Sequence, residues 1–286
     1  MIQEMLIILA LATVVLVVFN RWRWADHRAD DEVWTSLASH QPSAPGTFDL
    51  SMIGALPEPA KRFFRFAISP GTPLYTVAEI AMKGEFSLGN KSEYNYMPMY
   101  ATQILAAPHG FVWKLNAGRG LMSVSGSDVA QDGKSWSRFW LLGIAPVARA
   151  GGNADHSRSA FGRYVAEALI WTPGALLPDE SIRWDPIDES SARVTLTYKG
   201  LDQAVDLFVD ADGRPTKIVF QRWSNANPAG KYQLQPFGGY LSEFKEFDGF
   251  RLPTKIEAGN FFETEDYFAF FKVTVTGIRF PRPNGE

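Results

Sequence analysis

Hydrophobic positions along the chain follow three rhythms. Residues 5–19 form an unbroken apolar run in which only Thr13 is polar, and Asn20-Arg21-Trp22-Arg23-Trp24 follows at once. At ~1.5 Å per residue the run covers about 22 Å, short of the ~30 Å hydrocarbon core, but snorkelling arginines and interfacial tryptophans extend it by a turn. The pattern predicts a transmembrane anchor over residues 1–24. A cleaved signal peptide would carry Lys or Arg ahead of the run and a small-x-small site behind it, whereas this chain has Glu4 ahead and no such site after Phe19.

The second rhythm is helical. From Asp26 to His40 the chain can continue as a polar helix whose Val33, Trp34 and Leu37 form a narrow seam, until Gln41-Pro-Ser-Ala-Pro-Gly46 breaks it. Residues 25–55 therefore read as a juxtamembrane helix and linker. Beyond Pro57 and Pro59, the positions Ala60, Phe63, Phe64, Ala67 and Ile68 predict an amphipathic helix with Lys61, Arg62 and Arg65 off the stripe. Phe161, Tyr164, Val165, Ala168 and Leu169 predict another, stopped by Pro173-Gly174.

The third rhythm, of period two, starts near Leu74. Ala78, Ile80, Met82, Gly84, Phe86 and Leu88 alternate with Glu79, Lys83, Glu85 and Ser87, as in a half-buried strand. Strand-like runs recur at 94–106, 110–116, 120–128, 135–141, 182–185, 193–199, 204–209, 216–222, 240–247, 251–258 and 262–279. Asp132-Gly133, Asp212-Gly213 and Asp248-Gly249 sit between such runs and supply the positive φ that tight hairpins need. The expected fold is mainly β, of α+β class: a curved antiparallel sheet or incomplete β-barrel, a helix on its concave side, and an N-terminal transmembrane helix. Residues 56–286 are read as one domain.

Composition narrows the chemistry. The chain has no cysteine, so disulfides, thiolate metal sites and a cysteine nucleophile are excluded. A net charge of −3 and a pI near 5.9 give no basic footprint for nucleic acid. His27, His40, His109 and His156 show no metal-ligand spacing, and no metal or cofactor is expected. Gly118-Arg-Gly120-Leu-Met-Ser123 lacks the third glycine of a dinucleotide fingerprint. Met122-Ser-Val-Ser-Gly126 starts with the wrong residue for a serine-nucleophile elbow. Asp210-Ala-Asp212-Gly213 is a fragment of a calcium loop without its closing glutamate, and reads as a hairpin turn.

A sheet folded round a helix readily leaves an apolar lumen. Trp113, Trp140, Tyr164, Ala168 and Trp171 are the candidate lining residues, with Trp136, Trp184 and Trp223 beside them; for any single tryptophan core filling is the simpler reading. A larger side chain at Ala168 would then occupy that lumen. Arg163 and Glu167 lie one helical turn apart, about 160–200° from the apolar face, so their simplest reading is an exposed ion pair worth ~0.3 kcal/mol. The functional reading makes them, with Arg222 and Tyr240, a polar rim for a ligand headgroup or a partner.

Several short motifs occur in a familiar order: Gly84-Glu-Phe, the stretch from Gln103 to Trp113, Gly143-Ile-Ala-Pro-Val, Arg163-Tyr-Val-Ala-Glu, Pro173-Gly-Ala-Leu-Leu-Pro, Trp184, and Phe244-Lys-Glu-Phe-Asp-Gly-Phe-Arg-Leu-Pro-Thr-Lys-Ile-Glu. Over roughly residues 56–280 this resembles a bacterial family of membrane-tethered proteins of unknown function. The last third also resembles the lipoprotein-carrier fold, an incomplete β-barrel capped by helices, and that resemblance implies a cavity for acyl chains. The expected function is a membrane-anchored, non-catalytic binder of a lipid-like or other hydrophobic ligand. The alternatives are an assembly factor for another envelope protein and a hydrolase working through carboxylates such as Glu167 and Asp128. Expected partners are the bilayer and a hydrophobic ligand. Arg21, Arg23 and Arg28 favour a single-pass topology with the body in the cytoplasm.

Overall fold

The computed structural model describes residues 1–282. Helix α1 (Ile2–Ala38) runs without a break from the apolar segment into the polar one, and is long and apolar enough to cross a membrane. Helix α2 (Glu58–Ala67) follows, entered through Pro57 and Pro59, where a missing N–H costs nothing. Strands β1 (Ala78–Ser87), β2 (Tyr96–Ala106), β3 (Gly110–Ala117), β4 (Val124–Gln131), β5 (Lys134–Leu141) and β6 (Ala145–Gly151) lead to helix α3 (Ala154–Trp171). After it come β7 (Ile182–Pro186), β8 (Ser191–Tyr198), β9 (Leu201–Val209), β10 (Pro215–Ser224), β11 (Gln233–Phe247), β12 (Phe250–Asn260) and β13 (Phe268–Arg279).

All these strands join one antiparallel sheet in the order β6-β5-β4-β3-β2-β1-β13-β12-β11-β10-β9-β8-β7. The chain enters at the middle, winds out to the β6 edge, crosses through α3 to the β7 edge, and winds back until β13 pairs with β1. The sheet must be strongly bent, because groups from opposite halves meet. Tyr198, the last residue of β8, and Lys199 after it bond to Asp132 of the β4–β5 turn, and Trp223 of β10 bonds to Asp155 of α3.

The bend gives the sheet two faces with separate covers. The concave face packs on α3 and α2, with Phe63 and Phe64 of α2 against Trp184 of β7 and Tyr164 of α3 against Phe111 of β3. On the convex face a smaller core forms where Val33 and Leu37 of α1 meet Ile104, Val112 and Val129. That helix is held there by polar groups one to two turns apart on a single stripe. Asp26 takes two hydrogen bonds from Arg149 at 2.7 and 2.9 Å and one from the Trp140 indole at 3.0 Å, and Asp30 accepts from Trp136 at 3.0 Å.

The expected class and most of the strands are present, with local differences. β6 escapes the sequence pattern because, as an edge strand, it is mostly exposed and shows no alternation of buried and exposed positions. The run from Phe262 is a turn before β13 begins, and 120–122 is a short 3-10 turn ahead of β4. Asp132-Gly133 and Asp248-Gly249 are two-residue turns with positive φ at both positions. Asp212-Gly213 belongs to a longer connection, tied by Asp210, whose carboxylate accepts the N–H groups of residues 212 and 214.

Candidate functional site

Between α3 and the central strands lies a cavity of about 510 Å³. Its wall is mostly apolar: Trp113 and Leu115 of β3, Phe139 of β5, Phe237 of β11, and Ala166 and Ile170 of α3 all line it. Gly238 lets β11 pass close beneath a neighbouring ring, since a Cβ there would stand 2.6 Å from Phe262. An apolar chamber of this volume is in the range of small-molecule and lipid sites.

One part of the wall is charged. Arg163 donates to Glu167 at 2.8 Å and to Asp128 of β4 at 3.0 Å, while Gln103 of β2 donates to the other oxygen of Glu167. Arg222 of β10 completes the cluster, its guanidinium 5.0 Å from the Phe237 ring centre. Burial works against the charge of Arg163, but Glu167 and Asp128 outweigh it and hold its pKa above the ordinary arginine value. Arg222 has no such pairing: burial first, then the neighbouring Arg163, push its pKa down to about 10. Among the described residues, the Nε of Arg222 and the indole N–H groups of Trp113 and Trp171 are buried without a protein acceptor. All three residues line the cavity, and all three unsatisfied groups are donors.

Beside the cluster, Ser137 faces the cavity, and its hydroxyl lies 3.2 Å from Nε2 of His156; Nδ1 of that ring is 2.7 Å from Ser135. Burial, the largest influence, lowers the pKa of His156, although Asp128 pulls it upward. A serine next to a neutral imidazole is half of a nucleophilic pair. Nucleophilic acyl transfer also needs free donors at the oxyanion, and the strand carrying Ser137 is paired on both sides, by β4 and β6.

The expected site residues divide into two groups. Trp113, Trp171, Arg163, Glu167 and Arg222 come together around the cavity. Trp140 lies on the convex face, against Phe19 and Trp22 of α1. Tyr164 is packed between Phe111 and Phe161, and Ala168 is fully buried away from the chamber. Tyr240 neighbours the lining residue Gly239, so strand alternation turns it outward, onto Phe262 and Tyr267. The exposed ion pair at Arg163 and Glu167 is corrected: their side chains are only 18% and 15% accessible. A helical wheel assumes solvent opposite the apolar face, whereas α3 is enclosed by the bent sheet, so its polar side meets the chamber. Ala166, Ile170, Phe139 and Phe237 were not singled out from sequence, because nothing in a one-dimensional pattern marks which apolar residues front a void. Asp128, expected with Glu167 as a candidate carboxylate, also lines the cavity and accepts from Arg163.

The chain belongs to a family of unknown function, DUF6544, whose model matches residues 46–273. No curated protein matches it in sequence. In fold it is similar to a domain provisionally described as an outer membrane lipoprotein-sorting protein from Vibrio parahaemolyticus, at 13% identity and a TM-score of 0.40, covering 81% of this chain and 91% of that one. It is also similar to a LolA superfamily protein from Nitrosomonas europaea (8% identity, TM-score 0.38, 77% and 91% covered). A DUF1329 family protein from Desulfovibrio piger gives 9% identity, a TM-score of 0.41, and coverage of 78% and 90%.

Proposed function

We propose that this DUF6544 member is a single-pass membrane protein that holds an amphipathic, acyl-chain-bearing ligand in the chamber beneath α3. Residues 1–24 are the anchor, 25–55 the docking helix and linker, and 56–286 the binding domain. The carrying observation is a largely apolar cavity of about 510 Å³ with a charged cluster on one wall. Three buried donors without a protein acceptor, the Nε of Arg222 and the indoles of Trp113 and Trp171, belong to residues that line the chamber, so the ligand's polar end is read as an acceptor, such as a carboxylate or an ester. At ~0.8 kcal/mol per buried methylene, a chain of about ten methylenes gains roughly 8 kcal/mol of transfer free energy, before the cost of immobilisation. The positive flank of Arg21, Arg23 and Arg28 favours the cytoplasmic side for the binding domain.

A second reading, hydrolysis of a lipid or envelope ester, is favoured by the contact between Ser137 and His156 and by the convergence of Asp128 and Glu167 on Arg163. It is placed second because both carboxylates are committed to one guanidinium and the strand around Ser137 offers no oxyanion donors. Native mass spectrometry of the full chain released from detergent separates the readings. Retained intact amphiphile supports binding, a free protein mass with no lipid adduct at any collision energy argues against it, and turnover of added esters that is lost in Ser137→Ala favours hydrolysis.

A further inference from the structure

The anchor helix and the chamber share one end of the sheet. From its C-terminal end, α1 passes Gln131 through Ser36, then Trp136 through Asp30, then Trp140 through Asp26, and Phe19 and Trp22 pack on the Trp140 ring. Arg23 lies against Gly143, in the turn between β5 and β6. The apolar run therefore leaves the body beside that turn. Arg23 is four residues from Phe19, which sets the turn ~6 Å along the helix from the end of the run, within the interfacial layer of a bilayer.

Two neighbouring tips stand at the same end. The N–H of Leu142 donates to the carbonyl of Ser123, tying the β5–β6 turn to the β3–β4 connection. In that connection Gly118 and Gly120, both at positive φ, present Leu121 at 80% exposure and Met122 at 65%. The β5–β6 turn exposes Leu142 and Ile144, and the β1–β2 connection exposes Leu88 at 73%. Single exposed apolar residues are ordinary, but four on two bonded tips, with Arg119 among them, form a patch. The chamber reaches the same tips, since Leu88, Ala117, Val124 and Val147 line it.

We propose that Leu121, Met122, Leu142 and Ile144 insert into the interface of the bilayer that α1 crosses, so that the chamber opens onto lipid rather than water. The insertion stands independently of the ligand, whereas the opening rests on the reading of the chamber given above. Because the chain has no cysteine, single cysteines at Leu121→Cys, Ile144→Cys and, in the remote β9–β10 connection, Asp212→Cys can be labelled with an environment-sensitive nitrobenzoxadiazole probe. The full chain is then reconstituted in phosphatidylcholine nanodiscs with or without doxyl-labelled lipid. Blue-shifted emission and several-fold stronger doxyl quenching at 121 and 144 than at 212 are expected. Equal, water-like behaviour at all three sites overturns the proposal. A Leu121→Asp/Met122→Asp variant should load a fluorescent fatty acid from vesicles several-fold more slowly, with unchanged affinity in detergent; an unchanged loading rate overturns the opening. If the unaltered protein binds no fatty acid but the quenching pattern holds, the chamber reading fails and the insertion is supported.

Discussion

Replacing Ala166 and Ala168 separately by tryptophan separates a chamber from a core. Both alanines are buried on α3, at 3% and 0% accessibility, but at 100° per residue they point about 160° apart, and only Ala166 lines the cavity. At Ala168 a ring of roughly 200 Å² of surface has no space. Overpacking there should cost ~1–3 kcal/mol, which for a domain of this size lowers Tm by about 2–12 °C. At Ala166 the same ring enters the chamber, so Tm should stay close to that of the parent. If the ring displaces about half of a ten-methylene chain, roughly 4 kcal/mol is lost, close to a thousandfold in Kd. The assay is differential scanning calorimetry paired with titration of a fluorescent fatty-acid analogue, with the full chain in detergent. An Ala166→Trp protein that loses as much Tm as Ala168→Trp while keeping full probe affinity would refute the reasoning.

Arg222→Met should raise Tm without ligand, because the guanidinium is charged at neutral pH at a cost that is relieved only as pH rises through about 10. The same variant should weaken a carboxylate-headed probe by about tenfold or more while sparing its alcohol analogue, as calorimetric titration would reveal. The folded protein protonates His156 less readily than the unfolded chain does, so its contribution is intact above the ordinary value of 6.5 and is lost as pH falls below it. His156→Gln should therefore flatten the fall in Tm on acidification to pH ~5, leaving the part due to His109, which burial and His40 also lower. Asp26→Ala leaves Arg149 and the Trp140 indole without their acceptor, and should release residues 25–38 from the convex face at a cost of ~3–5 kcal/mol, read as faster hydrogen exchange in that segment.

Much of this architecture is written in local periodicity. The alternation from Ala78 to Ser87, the paired Asp-Gly turns and the stripe through Phe161 and Leu169 are short-range signals, and each maps onto an element. What periodicity cannot carry is closure. The pairing of β1 with β13 joins residues almost two hundred positions apart, and contacts such as Tyr198 and Lys199 with Asp132 draw the two halves together around α3. For this reason Arg163 and Glu167 read as solvent-facing although they line a chamber, and Trp140 reads as a lining residue although it serves the anchor helix. The stripe of Asp26, Asp30, Val33 and Leu37 is visible in sequence only in part. Aspartates count as polar until Trp136, Trp140 and Arg149 are known to face them.

The central claim is that an acyl chain occupies the chamber. Its most direct test is photolabelling of the full chain in nanodiscs with a fatty acid carrying a diazirine in mid-chain, followed by peptide mapping. Adducts on Phe139, Ala166, Ile170 or Phe237 are expected, reduced in Ala166→Trp and competed by unlabelled fatty acid. Adducts confined to residues 5–19 of the anchor, unchanged by that substitution, would contradict it.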